Sequence, residues 1–171
     1  MRWMWIDQIV EFTPGKSMAA IKNVSMAEEH LHDHFAAHDG QHALPIMPAS
    51  LMIEGMAQTA GILVGSVNDF REKVILAKIV TARFDVDVFP GQTIRYEALL
   101  DRMESVGAST TGIVKRLAHA GVPEQAGAWE IIGRVDLLFS HLDQNISGLE
   151  FPEENFVFSE NFRTILRTIQ K

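Results

Sequence analysis

The 171-residue chain is 47% hydrophobic and carries 15 basic against 22 acidic residues, a net charge of −7. That length and apolar content suit one domain with its own core, and the acidic balance argues against a broad surface for nucleic acid or anionic lipid. The absence of cysteine excludes disulfides, thiolate metal sites and thiol nucleophiles, fits a reducing, cytoplasmic compartment, and leaves serine, histidine and carboxylate chemistry.

The opening MRWMWIDQIVEF has Arg2 and several apolar residues, but Asp7 and Glu11 interrupt them and no small-residue cleavage site follows. No signal peptide is expected. WIDQIVEF and KSMAAIKNV flank TPGK, whose Pro14 and Gly15 supply turn chemistry, so residues 5–24 are predicted to form a hairpin. Residues 49–68 are rich in Leu, Met, Ile and Ala behind Pro48, which predicts a long helix apolar on nearly every face. Glu54, Gln58, Thr59 and Ser66 interrupt that run and no basic clusters flank it, so a buried helix is expected rather than a membrane span.

Downstream, Ile94, Tyr96, Ala98 and Leu100 alternate with Thr93, Arg95 and Glu97, the period of a strand buried on one face. Trp129, Ile131, Val135, Leu137 and Phe139 are expected to repeat that pattern. VILAKIVTARF and STTGIVKRLAHA are shorter strand candidates, and FPGQ and AGVPEQAG punctuate them as turns. The predicted order is hairpin, long helix, then about four antiparallel strands, in one domain over residues 1–142. Residues 143–171 form an extension in which Phe162, Ile165, Leu166 and Ile169 fall at helical spacing behind Ser159 as N-cap. Such an amphipathic stripe is expected to dock on the domain or on a second subunit.

The chemistry concentrates in HDHFAAHDGQHALPIMPASLMIEGMAQTAG, residues 32–61, which places four of the seven histidines ahead of the apolar run. Across residues 49–67 the single ionisable side chain is Glu54. Burying an unpaired carboxylate is costly, so such a group is paired, holds its proton, or faces a cavity; a carboxyl in apolar surroundings suits general-acid work. The bland alternative is a glutamate reaching solvent at a helix end. Gln58, four residues on and on the same helix face, is placed to bond that carboxyl or a ligand. His30, His32, His34, His38 and His42 with Asp33 and Asp39 are residue types that also bind zinc or iron. Their spacings arise equally in polar loops, and without an HExxH pattern no metal is expected.

The run VSMAEEHLHDHF followed by LPIMPASLMIEGMAQTAGIL resembles the β-hydroxyacyl-acyl-carrier-protein dehydratases of the FabZ and FabA type. His34 and Phe35 match the family's His-Phe, residues 45–48 its P-I-M-P, and Glu54, Ala57, Gln58 and Gly61 its helix; Glu28 falls at its upstream glutamate and Leu31 at a large apolar position. WIDQIVEFTPGKSMAAIKNVS resembles the family's opening hairpin, TARFDVDVFPGQTI its A-R-F-x-x-x-V-x-P-G-D signature, and VDLLFS its last strand. The resemblance covers about residues 3–140. It departs where His-Phe-Pro-Gly becomes HFAA, where the loop from Phe35 to Pro45 is six residues longer, and where the glycine after Pro48 is Ala49, followed by Ser50. His38 and His42 in that loop are rivals of His34 for the role of base, although the upstream residues align on His34.

The resemblance implies an α+β hotdog fold, an antiparallel β-sheet wrapped around a long central α-helix. It also implies a homodimer, alone or as a trimer of dimers, with each active site shared between two subunits. His34 and Glu54 are then the catalytic pair, and Phe35, Pro48, Ala49, Ser50, Gln58 and Phe84 the substrate-binding residues. The activity implied is dehydration of 3-hydroxyacyl thioesters on an acyl carrier protein, with no cofactor. Met52 and Met56 would line an acyl tunnel with Phe84 or be plain core, and Lys78 and Arg83 would meet the acidic carrier or be solvated surface charges. Two rival readings remain: a hotdog thioesterase, against which the His34 match weighs, and a non-catalytic acyl-binding or partner hotdog subunit.

Overall fold

A computed structural model describes residues 4–117 apart from Asp33, Phe35 and Gln41, together with residues 127–142 and 160–167. Its elements in chain order are β1 (Gln8–Thr13), β2 (Ser17–Asn23), α1 (Glu29–His32), α2 (Ala49–Ser66), β3 (Lys73–Phe84), β4 (Thr93–Glu104), β5 (Gly107–Leu117), β6 (Trp129–Leu142) and α3 (Glu160–Arg167).

The opening hairpin closes as expected through Pro14 and Gly15, with Gly15 at φ +64° and the Lys16 N–H donating to the Thr13 carbonyl at 3.0 Å. That left-handed conformation suits glycine, which has no Cβ to clash. The strands form one six-stranded antiparallel sheet in the order β1-β2-β4-β5-β6-β3. β3 and β5 run 12 and 11 residues over the two strand candidates, and β4 and β5 are joined by a tight turn at Ser105 and Val106. The FPGQ turn lies between β3 and β4. Of the AGVPEQAG turn only Gly127 falls within the described residues.

α2 packs against β2, β3, β4, β5 and β6, which accounts for a helix apolar on nearly every side: the curled sheet covers most of it. Met52 and Met56 lie in this core with Ile62, Leu63, Tyr96, Val135 and Leu137. On β6 the expected alternation holds for Val135, Leu137 and Phe139, whereas Trp129 and Ile131 lie on the exposed face and Ile132 is buried. The cause is an irregularity opposite Val114 and Lys115, which pair with Gly133 and Ile131 and leave Ile132 between them. One extra residue reverses which side chains face the core.

β3 lies at a free edge of the sheet. Its Ile79 pairs with the buried Leu137 and its Leu76 with Phe139, so both point to the same face as the core. Yet Leu76, Ile79 and Val80 are 39%, 44% and 53% exposed, although α2 also contacts this strand. At the other edge α3 contacts β1, and Ile165 and Leu166 pack against the core. Docking on the domain, one of the two expected fates of the tail, is thus seen; Ser159, Ile169 and the side chain of Phe162 fall outside what is described. No helix among the described residues is long and apolar enough to cross a membrane.

Close packing also makes Gly55 a sensitive position. A Cβ there would stand 2.4 Å from Cζ of Tyr96, whose ring is fully buried. Alanine gains about 1 kcal/mol of helix propensity over glycine, but overpacking a dense core costs about 1–3 kcal/mol, and a rigid ring cannot swing aside as a flexible chain end does. Gly55→Ala is therefore expected to lower stability, read as a lower denaturation midpoint.

Candidate active site

The approach to α2 is fixed by the Met47 N–H, which donates to the Val88 carbonyl at 2.8 Å. Pro48 takes the N-cap position in an extended conformation (φ −59°, ψ 133°), and no side chain caps the helix. Its carbonyl accepts from the N–H groups of Leu51 and Met52 at 3.0 and 3.2 Å. Ala49 and Ser50 open the helix and are exposed, with no acidic residue in the first turn. A helix start offers unpaired N–H groups and the positive end of the helix dipole, a setting that favours developing negative charge.

Glu54 lies on the second turn, half-buried, and its Oε1 accepts from Nε2 of Gln58 at 3.0 Å. Of the two roles open to Gln58, bonding the carboxyl is the one observed. Gln58 is buried, and its Oε1 accepts in turn from the backbone N–H of Trp5 at 2.8 Å. Nothing in the sequence announces that contact, since every residue but proline carries the same backbone donor.

His34 follows α1 and is half-buried. Its Nδ1 stands 2.7 Å from the carbonyl oxygen of Leu31. A carbonyl only accepts, so Nδ1 carries the hydrogen, and a neutral ring then presents the lone pair of Nε2 to an incoming proton. Leu31 is fully buried. The turn that carries it is tied to β2 by Glu28, which pairs with the buried Lys22; Lys22 also pairs with Asp7 at 3.2 Å. Burial alone would lower the pKa of the Lys22 ammonium, but hydrogen bonds and charge attraction from Glu28 and Asp7 outweigh it and hold the group above the ordinary lysine value. The Trp5 ring meets His30 edge-on, 5.2 Å between centroids.

The other histidines of the loop lie at the surface. His38 pairs with Asp39 at 2.9 Å on the open surface, beside a turn in which Asp39 and Gly40 adopt positive φ, and His32 and His42 are exposed. Among the described residues no three His, Asp or Glu side chains converge as a metal ion would need. Phe84 ends β3, half-buried, with its ring against Gly133, where a Cβ would lie 2.6 Å from Cδ1. Arg83, on the exposed side of β3, bonds Asp85 at 2.9 Å, and Lys78 is exposed. Phe35 falls outside the described residues.

The chain is similar to proteins of known family. The model of the FabA-like domain matches residues 2–121. A 3-hydroxyacyl-[acyl-carrier-protein] dehydratase FabZ of Ruminiclostridium cellulolyticum is 32% identical over 127 residues, 74% of this chain and 81% of the relative. One from a Wolbachia of Drosophila simulans is 34% identical over 134 residues, 78% and 85% of the two chains. Among solved structures, the dehydratase heterocomplex ApeI:P from Xenorhabdus doucetiae superposes with a TM-score of 0.61 at 14% identity, covering 82% of this chain and 84% of the other, and so supports the fold. With a sheet folded about one long helix, the hairpin ahead of it and the P-I-M-P motif leading into it, the chain belongs to the FabA-like family of hotdog proteins, in its FabZ-type branch.

Proposed function

We propose that the protein dehydrates 3-hydroxyacyl thioesters, (3R) by the resemblance, carried on an acyl carrier protein, giving trans-2-enoyl thioesters for fatty-acid biosynthesis or a related acyl pathway. The reaction removes a weakly acidic α-proton and expels the C3 hydroxyl, so it needs a base, an acid and donors for the developing enolate oxygen. Nε2 of His34 takes the α-proton. Glu54 of the partner subunit protonates the departing hydroxyl, which leaves as water. The N–H groups at the start of α2, near Ala49 and Ser50, hold the thioester oxygen beside Pro48. Phe35 and Phe84 flank the acyl chain, and Gln58 serves the site through Glu54. The observation that carries the reading is the hydrogen bond from His34 Nδ1 to the Leu31 carbonyl, which turns an ordinary loop histidine into a base with one assigned nitrogen.

Pairing of two chains follows from β3. A free edge with an apolar, uncovered margin favours a second copy, because joining two sheets there covers both margins and removes an edge open to aggregation. The assembly is then a homodimer, alone or as a trimer of dimers. Residues 1–142 are the catalytic domain and residues 143–171 an extension whose helix α3 contacts β1. Exposed Lys78, with Arg83, meets the acidic carrier, and the protein works in the cytoplasm.

The test is turnover of a 3-hydroxyacyl carrier protein, or its coenzyme A surrogate, followed by absorbance of the enoyl thioester. Conjugated product without release of free thiol is expected. Thiol release without enoyl product would instead make the protein a hotdog thioesterase, and acyl binding without turnover would make it a non-catalytic partner subunit.

A further inference from the structure

The amide of Gln58 is engaged at both ends: Oε1 accepts from the Trp5 backbone N–H at 2.8 Å, and Nε2 donates to Glu54 Oε1 at 3.0 Å. The oxygen and nitrogen of a side-chain amide are told apart by their partners. A backbone N–H can only donate, so the amide atom facing Trp5 is the oxygen. The atom facing Glu54 is therefore the NH2 group, which can only donate. Glu54 Oε1 must accept, and when the carboxyl is protonated its hydrogen sits on the other oxygen.

We infer that the Trp5 N–H, acting through Gln58, fixes Glu54 so that Oε2 is the oxygen that holds and delivers the proton. Gln58 is thus a positioning residue rather than a substrate contact, and the segment ahead of β1 supports the active site. This rests on Glu54 being the acid of the proposed dehydration. In that step the proton passes from Oε2 to the C3 hydroxyl as the C3–O bond breaks with its electron pair, water departs, and Glu54 is left as a carboxylate that solvent reprotonates. The arrangement mirrors His34, where a backbone carbonyl pins one ring nitrogen and frees the other. His34 is oriented directly by a backbone atom and Glu54 through the Gln58 side chain.

The assignment predicts a split between kcat and KM. Gln58→Leu removes the donor, and Gln58→Glu keeps the shape and an acceptor for Trp5 but, when ionised, cannot donate to Glu54. Both are expected to lower kcat for dehydration by about tenfold or more while KM stays within about twofold, because misorienting a reacting group costs turnover rather than substrate affinity. Trp5→Ala and Trp5→Pro both lose the ring, and proline alone loses the N–H; kcat is expected to be about tenfold lower in the proline variant. Thermal melts identify any variant that fails to fold, and the two pairs of variants are independent, so either decides the matter. Equal kcat in the two Trp5 variants, or a raised KM with kcat kept in the Gln58 variants, overturns the inference. Glu54→Gln retaining wild-type turnover overturns instead the role of Glu54 as acid, whatever Gln58 does.

Discussion

His34→Ala is expected to lower kcat/KM for dehydration by about 10²–10⁴-fold, the usual contribution of a positioned general base. The side chain is half-buried and makes its recorded hydrogen bond to the Leu31 carbonyl through Nδ1, so its loss empties little of the core and the melting temperature should move little. His38 and His42 are the natural controls. Both are exposed, and His38 is engaged with Asp39 at the surface. His38→Ala and His42→Ala should each stay within about twofold of the unmodified protein, since surface substitutions away from a site usually have small effects. The measurement is the initial rate of enoyl thioester formation. If His34→Ala kept its rate while His38→Ala or His42→Ala lost it, the longer loop would place a different histidine at the site, and the alignment on HFAA would be wrong.

The second large effect is recovery rather than loss. Because His34 and Glu54 are proposed to meet across two chains, two inactive variants should restore each other. A dimer of one His34→Ala chain and one Glu54→Gln chain has one site with both native groups and one with neither. Random pairing after mixing, unfolding and refolding makes about half the dimers mixed, each with one of two sites intact, so activity should return to roughly a quarter of the unmodified level. Tagged chains separated by charge or affinity show whether mixed dimers formed. Mixed dimers without activity would put both residues in the site of a single chain, or one of them outside catalysis. The free edge of β3 and its open apolar margin are what make the pairing physically reasonable, since a lone sheet leaves that margin in water.

Much of this protein was legible in its residues. The Pro14–Gly15 turn has one common use between two alternating strands. A run as apolar as residues 49–67 must be wrapped, so the lone carboxyl of Glu54 stood out against a background that tolerates few charges. The alternation of β4 placed Ile94, Tyr96 and Ala98 inside, and all three are buried. The motif residues around His34 and Pro48 carried the family resemblance, and the family comparison agrees with it.

Other features depend on partners distant in sequence. β6 turns Trp129 and Ile131 outward because its pairing with β5 slips by one residue at Ile132; a slip of this kind belongs to the pair of strands, and neither strand's own pattern contains it. β3 follows α2 yet joins the far side of the sheet beside β6, and only that placement leaves Ile79 and Val80 open at an edge.

What the sequence by itself determined is therefore the local periodicity, the turn chemistry and the motif to which His34 and Glu54 belong, since each depends on residue type over a few neighbours. What the tertiary structure alone decided is which atoms of those two side chains are held by hydrogen bonds. Nδ1 of His34 is held by a backbone carbonyl, and Glu54 Oε1 by an amide that a backbone N–H orients from 53 residues away. Backbone donors and acceptors are nearly the same at every position, so their pairing leaves no mark in the residue types and comes into being only when the chain folds.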